Sequence, residues 1–387
     1  MTGLKKARSP RWAPPAYQCL VEVDFPVTYC ERALGVLIDP LSEREFELGR
    51  PPEHTYAHLG LLGPTWGRTL FFTPNGINVR ENSVAGWHFD GSEWKRMTAP
   101  LPNAIYNRLA RRSLERRPTM QRLLDQIRIN RLLFNPGFLA KDEALSALGA
   151  KQVATPRFAV VQDVDDAMSA LRSWGVVYLK PKDGSLGRGI VRIEPGTAQG
   201  RGNYLITSNR ATPDPPLQTL CGRRTLSQLL GDLVRSTPYI AQEGVDLPSI
   251  DGCRVDLRAL VQRTEAGWSL TGVTGRAAPP GHVSTHTVRG GHIVPFAEVA
   301  DMCGIDRGAV ESLVCRAALA IEESRGEEFF EFSADIAPTA DGRLAILEMN
   351  AKPFPFDEDE IRTLAARRLF KYAWRPKENG ARPIAIG

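Results

Sequence analysis

Residues 19–100 carry short apolar runs, Leu34 to Ile38 and Thr69 to Thr73, broken by glycine, proline and asparagine. The segment WHFDGSEW at 87–94 places aromatics on both sides of Asp90-Gly91. Strands joined by tight turns are the expected result. At 103–134 the pattern changes: Leu123, Leu124 and Ile127 recur at helical spacing within an arginine-rich stretch. Pro118 cannot sit inside a helix, so two helices are expected there. From 136 onward, helical and strand patterns alternate. FLAKDEALSAL (138–148) reads as a helix, FAVVQ (158–162) as a strand, and DVDDAMSALRSW (163–174) as a helix capped by Asp163 or Asp165. VVYLK and GIVRI read as strands flanking a glycine-rich loop. TLSQLLGDLVR (225–235) reads as an amphipathic helix opening on a Thr225/Gln228 capping box. YIAQEGV, RVDLRALVQR, WSLTGVTGR, FEFSADIA and LAILEMN read as strands, and ALAIEES ends a helix. The pattern predicts an α+β fold with mainly antiparallel pairing, not a doubly wound parallel sheet.

A chain of 387 residues, 42% hydrophobic and 24% charged, has ordinary globular composition and room for two or three domains. The expected division is a flexible basic arm at 1–18, a mostly-β N-terminal domain with its arginine-rich connector at 19–135, one lobe at 136–236, a second at 237–372, and a tail at 373–387. No apolar run reaches the ~18 residues of a membrane span, so no membrane partner is expected. Forty-nine basic residues against 44 acidic ones leave +5. Lys5, Lys6, Arg8 and Arg11 supply most of that excess, so the folded body is near neutral and general nucleic-acid binding is not expected. The basic N-terminus lacks the apolar stretch of a secretory signal. Six scattered cysteines without a CxxC read as free thiols of a reducing, cytoplasmic compartment. The arginines of the connector (Arg108, Arg111, Arg112, Arg116, Arg117, Arg122, Arg128 and Arg131) read first as a solvated face beside a domain boundary. A basic wall for an acidic substrate, or for tRNA, is the competing reading.

Two constellations carry chemistry. The first is Lys180-Pro-Lys-Asp-Gly-Ser185-Leu-Gly187-Arg-Gly189, set between two strands. Its glycines let backbone N–H groups approach phosphate oxygens, Ser185 adds a hydroxyl, and Lys180 adds a fixed charge. No GK[ST] follows and no helix opens after the loop, so it is neither a P-loop nor a dinucleotide fingerprint. Alone, it reads first as an ordinary turn.

The second lies near the C-terminus. Asp341-Gly342 predicts a two-residue hairpin turn between FSADIAP and LAILEMN. That register puts Asp335 opposite Glu348, with Asn350 on the same face. Opposed carboxylates repel, and a divalent cation between them would relieve this; hard oxygen donors suit Mg²⁺ held with substrate phosphates. The alternative is a wider loop, forced by Pro338, with both acids solvated.

Taken together, these segments resemble the ATP-grasp superfamily, and more narrowly its YheC/YheD-type family of endospore coat-associated proteins. The similar segments are LGVLI (34–38), LPNAIYNR (101–108), FNPGFLAKD (134–142), YLKPKDGSLGRGIVRI (178–193), VDLRALVQR (255–263), RGGHIVPF (289–296) and the closing LEMNAKP. The resemblance implies a small N-terminal domain and two α+β lobes clamping ATP. It implies that Lys141 and Lys180 contact nucleotide phosphates, and that Ser185, Gly187 and Gly189 cover them. Gln242, Glu243, Gly244 and Val245 would form the interlobe strand that reads adenine. Asp256 would meet the ribose, and Asp335, Glu348 and Asn350 would hold Mg²⁺, with Mn²⁺ as a substitute. Where related ligases carry Arg-x-Asn, this chain has Ser284 and His286; Arg276 and Arg289 would supply the missing positive charge. His282, His286 and His292 fit no standard zinc spacing and read as surface-loop residues; if used, His286 would touch the acceptor or a phosphoryl oxygen.

The implied activity is ATP-dependent ligation of a carboxylate to an amine through an acylphosphate, a peptide or amino acid being the default acceptor. The competing readings are a phosphotransferase on the same fold and a coat-associated structural protein without turnover.

Overall fold

The structure is a computed structural model that describes residues 33–185, 187–196, 203–208, 216–286, 290–339 and 341–375, with only the backbone of 63–66. The basic arm, Cys19, Cys30, Arg289 and residues 376–387 lie outside the described residues. Among the described residues, strands form three sheets.

The first sheet contains β1 (Ala33–Ile38), β2 (Arg68–Phe72), β3 (Ile77–Asn78), β4 (Ser83–Phe89), β5 (Trp94–Pro100), β6 (Ala104–Arg108) and β7 (Leu132–Phe134), in the order β3-β4-β2-β1-β6-β7 with β5 on β4. The expected WHFDGSEW hairpin is present: Phe89 pairs with Trp94, and Asp90 accepts the Ser92 and Glu93 N–H groups. Antiparallel pairing does not extend to the centre of this sheet, where β1–β2, β1–β6 and β6–β7 are parallel. LGVLI and AIYNR are uninterrupted buried runs, the signature of strands covered on both faces. Helices α1 (Glu43–Glu47), α2 (His58–Trp66) and α10 (Asp359–Ala373) contribute to the core on one face, and α4 (Pro118–Asn130) to that on the other. Residues 104–108 are thus a central strand rather than the start of a helix. Pro118 does divide the remainder of the connector, into α3 (Arg112–Glu115) and α4, where it takes the first helical position, needing no N–H.

The second sheet runs β12-β11-β10-β9-β13-β8, with β8 (Phe158–Val161), β9 (Val177–Pro181), β10 (Val191–Pro195), β11 (Asn203–Ser208), β12 (Leu217–Gly222) and β13 (Tyr239–Glu243), all antiparallel. Helices α6 (Val164–Trp174) and α7 (Arg223–Ser236) pack on one face. Asp163 caps α6 by accepting the Asp166 N–H. The Thr225/Gln228 capping box does not form: β12 passes straight into α7 at Gly222, leaving Thr225 inside the helix.

The third sheet runs β17-β16-β15-β18-β19, with β14 on β15: β14 (Ser249–Ile250), β15 (Cys253–Thr264), β16 (Gly267–Ala278), β17 (His292–Val294), β18 (Glu331–Pro338) and β19 (Leu344–Asn350). Helices α5 (Lys141–Ala150), α8 (Phe296–Cys303) and α9 (Arg307–Arg325) fill its core. Asp306 caps α9 and Gly326, at φ 61°, ends it. The face of the third sheet opposite this core is covered along part of its length by α10, which packs on Leu260, and elsewhere a cleft opens between it and the second sheet.

Candidate active site

The cleft is lined by Lys180 of β9, Gln242 and Glu243 of β13, Asp256 of β15, Asp335 of β18, Glu348 of β19 and the segment Val283–His286. Two β-bulges set the register of its charged side chains. In the β18–β19 hairpin the closing pair is Thr339–Arg343, one residue away from a two-residue turn at Asp341-Gly342. That register pairs Ile336 with Ile346, and would leave Asp335 opposite Leu347. An extra residue, Leu347, bulges out of β19 and returns Glu348 to Asp335. The expected facing pair is therefore present, reached by another route. In the β15–β16 hairpin, Val261 pairs with Leu270 but Leu260 with Gly272, and this bulge places Arg276, not Gly275, opposite Asp256.

Neither acid is left to repel the other. Arg276, 1% exposed, makes two hydrogen bonds to Asp256, at 2.9 and 2.6 Å, and reaches Asp335 Oδ1 at 3.1 Å. Burial alone would raise the Asp335 carboxyl, but Arg276, His286 and Arg258 hold it below the ordinary value. Lys141 Nζ reaches Glu348 Oε1 at 3.2 Å and donates to Gly184 O at 2.5 Å. Solvated acids are thus excluded for this hairpin: Asp335 is 7% exposed. A cation between the two is not required by repulsion alone, because protein cations stand beside each.

Lys180 is buried and donates to Gln242 Oε1, whose amide donates to Leu347 O at 3.2 Å. Burial holds the Lys180 ammonium below its ordinary value. Gly187 and Gly189 have φ of 66° and 71°, a region that side chains avoid. A Cβ on Gly187 would stand 2.9 Å from Ser284 Oγ and 3.3 Å from His286 Cδ2, so the glycine loop lies against the 284–286 segment. Ser185 is exposed, and Asn350 is half-buried, two residues beyond Glu348 and paired with Ser333. The Glu243 and Gly244 N–H groups are engaged by Arg157 O and Val176 O, and Val245 lines the cleft. Both oxygens of Asp256 are engaged, by Arg276 and by the Thr285 hydroxyl at 2.7 Å. His286 is not a surface-loop residue: it lines the cleft, and burial pushes its pKa down to about 4 against the pull of Asp335. His292 is exposed on β17.

Two residues of the site went unremarked in the sequence. Arg258 pairs with Asp335 in register; its Nη2 donates to Phe354 O at 2.8 Å, and its Nε is buried without a partner. Strand alternation from Asp256 would have placed it on the same face. Thr285, set between the two positions weighed as substitutes, is the one that bonds Asp256. Arg276 Nη1 is likewise buried without a partner.

Three packed sheets, with a glycine hairpin and a bulged acidic hairpin closing on one cleft, define an ATP-grasp fold. D-alanyl-alanine synthetase A from Vibrio cholerae is similar over 89% of this chain and 98% of its own, with a TM-score of 0.56 at 11% identity. D-cycloserine synthetase DcsG is similar over 87% and 99%, with a TM-score of 0.51 at 15% identity. The profile of the YheC/D like ATP-grasp family matches residues 130–375, and the chain belongs to that family. Endospore coat-associated protein YheD of Bacillus subtilis (strain 168) is 26% identical over 334 residues, 79% of this chain and 70% of that protein. No helix among the described residues is long and apolar enough to cross a membrane.

Proposed function

We propose that the chain is an ATP-dependent carboxylate–amine ligase. One observation carries this reading: buried guanidinium N–H groups of Arg276 and Arg258 lack protein partners beside the facing pair Asp335 and Glu348. Buried donors are satisfied in native proteins, so orphaned guanidinium groups beside the cleft call for an anionic ligand.

The donor set fits Mg²⁺. Asp335, Glu348 and Asn350 offer hard oxygens on one hairpin face. Among the described residues no three acidic, histidine or cysteine side chains converge on one ion site, so phosphate oxygens and water would complete the shell, as Mg²⁺ prefers. When bound there, it would neutralise charge on the nucleotide phosphates.

The residues divide the remaining work. Lys141 and Lys180 would bind the phosphates, and the backbone around Gly187 and Gly189 would cover them and exclude water. The backbone around Val245, which lines the cleft, would read the adenine edge. With both its oxygens engaged, Asp256 orients Arg276 better than it would a ribose. Arg276 and Arg258 would hold the substrate carboxylate as its oxygen attacks the γ-phosphorus. The bond to the β-phosphate oxygen breaks and ADP leaves with the electron pair. An amine would then attack the acyl carbon, phosphate would depart, and the neutral imidazole of His286 would take the amine proton. Catalysis is mostly positioning and charge neutralisation.

The experiment is thermal unfolding with and without Mg²⁺-ATP, followed by ADP and phosphate release with pooled amino acids and peptides. A nucleotide-dependent rise in Tm with release of both products is expected. ADP without free phosphate would indicate a phosphotransferase. No shift in Tm would favour the coat-structural role that the name of the Bacillus relative suggests.

A further inference from the structure

The arginine-rich connector has no part in the reaction above, yet two of its arginines grip the glycine loop. Arg116 makes two parallel hydrogen bonds to Asp183, Nη1 to Oδ2 at 2.8 Å and Nη2 to Oδ1 at 2.7 Å. Arg112 stands 3.6 Å from the same Oδ1. It is itself fixed, donating to Leu139 O at 2.7 Å and lying over the Phe138 ring at 4.6 Å. Asp183 immediately precedes Gly184, whose carbonyl accepts from Lys141, and Lys141 reaches Glu348. On the other side, Lys182 pairs with Asp142 at 2.6 Å, and its N–H donates to Pro238 O at 2.9 Å. A continuous line of contacts therefore runs from α3, just beyond β6 of the first sheet, through the loop root to the acidic hairpin.

A planar guanidinium joined to a carboxylate by two bonds fixes direction as well as distance. The Arg116 hydrogen bonds hold the Asp183 carboxyl below its ordinary value, so the link stays charged at neutral pH.

We infer that Arg116, seconded by Arg112, is a positioning residue: through Asp183 it fixes the root of the glycine loop, keeping Gly184 and Lys141 aligned with Glu348 for the nucleotide phosphates. Its consequence for nucleotide binding rests on the ligase reading; its mechanical part does not.

The test measures hydrogen exchange of the Lys182 and Gly184 amides in nucleotide-free protein, and Mg²⁺-ATP affinity by calorimetry. It compares the wild type with Arg116→Ala, Arg116→Lys and the reversed pair Arg116→Asp/Asp183→Arg. In Arg116→Ala both amides should exchange about threefold faster, the range for losing a well-oriented surface pair. Affinity should fall by a similar factor. Lysine should restore only part of either, lacking the fork, and the reversed pair should restore more. Unchanged exchange in Arg116→Ala overturns the proposal. So does faster exchange with undiminished affinity in a protein whose wild type binds Mg²⁺-ATP. If the wild type binds no nucleotide, the ligase reading falls, and the exchange measurement alone decides whether Arg116 holds the loop.

Discussion

Strand β18 carries two buried acids four residues apart, Glu331 and Asp335, and their surroundings differ in kind. Glu331 lies in a closed knot. It accepts from Tyr106, from Tyr56 at 3.3 Å and from Gln262 at 2.8 Å, and Gln262 in turn accepts from Thr271. Burial raises its pKa, and the side chains that bond it directly are neutral. Asp335 instead stands among arginines, one of which leaves a buried N–H unmatched at Nη1 and another at Nε. The knot joins the first and third sheets, and its residues satisfy one another. The cleft joins the second and third, and two arginines beside it each keep one buried N–H without a partner. A buried carboxylate whose donors are all accounted for holds a fold together; one beside unpartnered donors is arranged for something else.

Substitutions can break that contrast. The largest effect is expected for Asp335→Asn. Turnover should drop on the order of 10²–10³-fold, measured by phosphate release, with Tm nearly unchanged because Arg276 keeps Asp256. Full activity in this variant would remove the metal assignment. Lys180→Met should weaken Mg²⁺-ATP binding by about tenfold or more in calorimetry, the worth of a charge-assisted hydrogen bond. Glu331→Ala should do the opposite of Asp335→Asn. It should lower the free energy of unfolding by about 1–3 kcal/mol in urea titration, with nucleotide affinity intact, since it strands the Tyr56, Tyr106 and Gln262 donors. The smallest effect is expected for Gly187→Ala. The positive φ and the Ser284 contact should cost about 1–2 kcal/mol within the loop, read as a several-fold rise in KM for ATP with Tm unchanged.

The connector arginines divide along the same line. Arg117 and Arg122 are exposed, as a solvated face requires, whereas Arg108 is 4% exposed and lies 4.1 Å from the Tyr56 ring centroid beside the knot. Arg116 belongs to the glycine loop instead. Residue type alone does not distinguish these roles, because each depends on a partner distant in sequence: Asp183 for Arg116, and the His54 and Pro353 carbonyls for Arg108.

Much of the local structure was legible in the sequence because it depends on near neighbours. Asp163 caps the helix directly after it, Pro118 divides two helices, and the left-handed turns fall on Gly187 and Gly189. The parallel centre of the first sheet was not legible, since pairing direction is set by strands far apart in the chain.

The two bulges show where sequence stops and tertiary structure decides. Turn residues placed the acidic hairpin and apolar patterning named the strands of the other, and spacing set Asp335 opposite Glu348. Whether Asp335 faces Glu348 or Leu347, and whether Asp256 faces Arg276 or Gly275, turned on one extra residue in each strand. A bulge leaves no strong local signature, because its cost is small and is met by packing against the rest of the fold. The chain alone therefore determined which chemical groups are present and roughly where. Only the packed sheets decided which of them meet, since a shift of one residue turns every side chain to the opposite face.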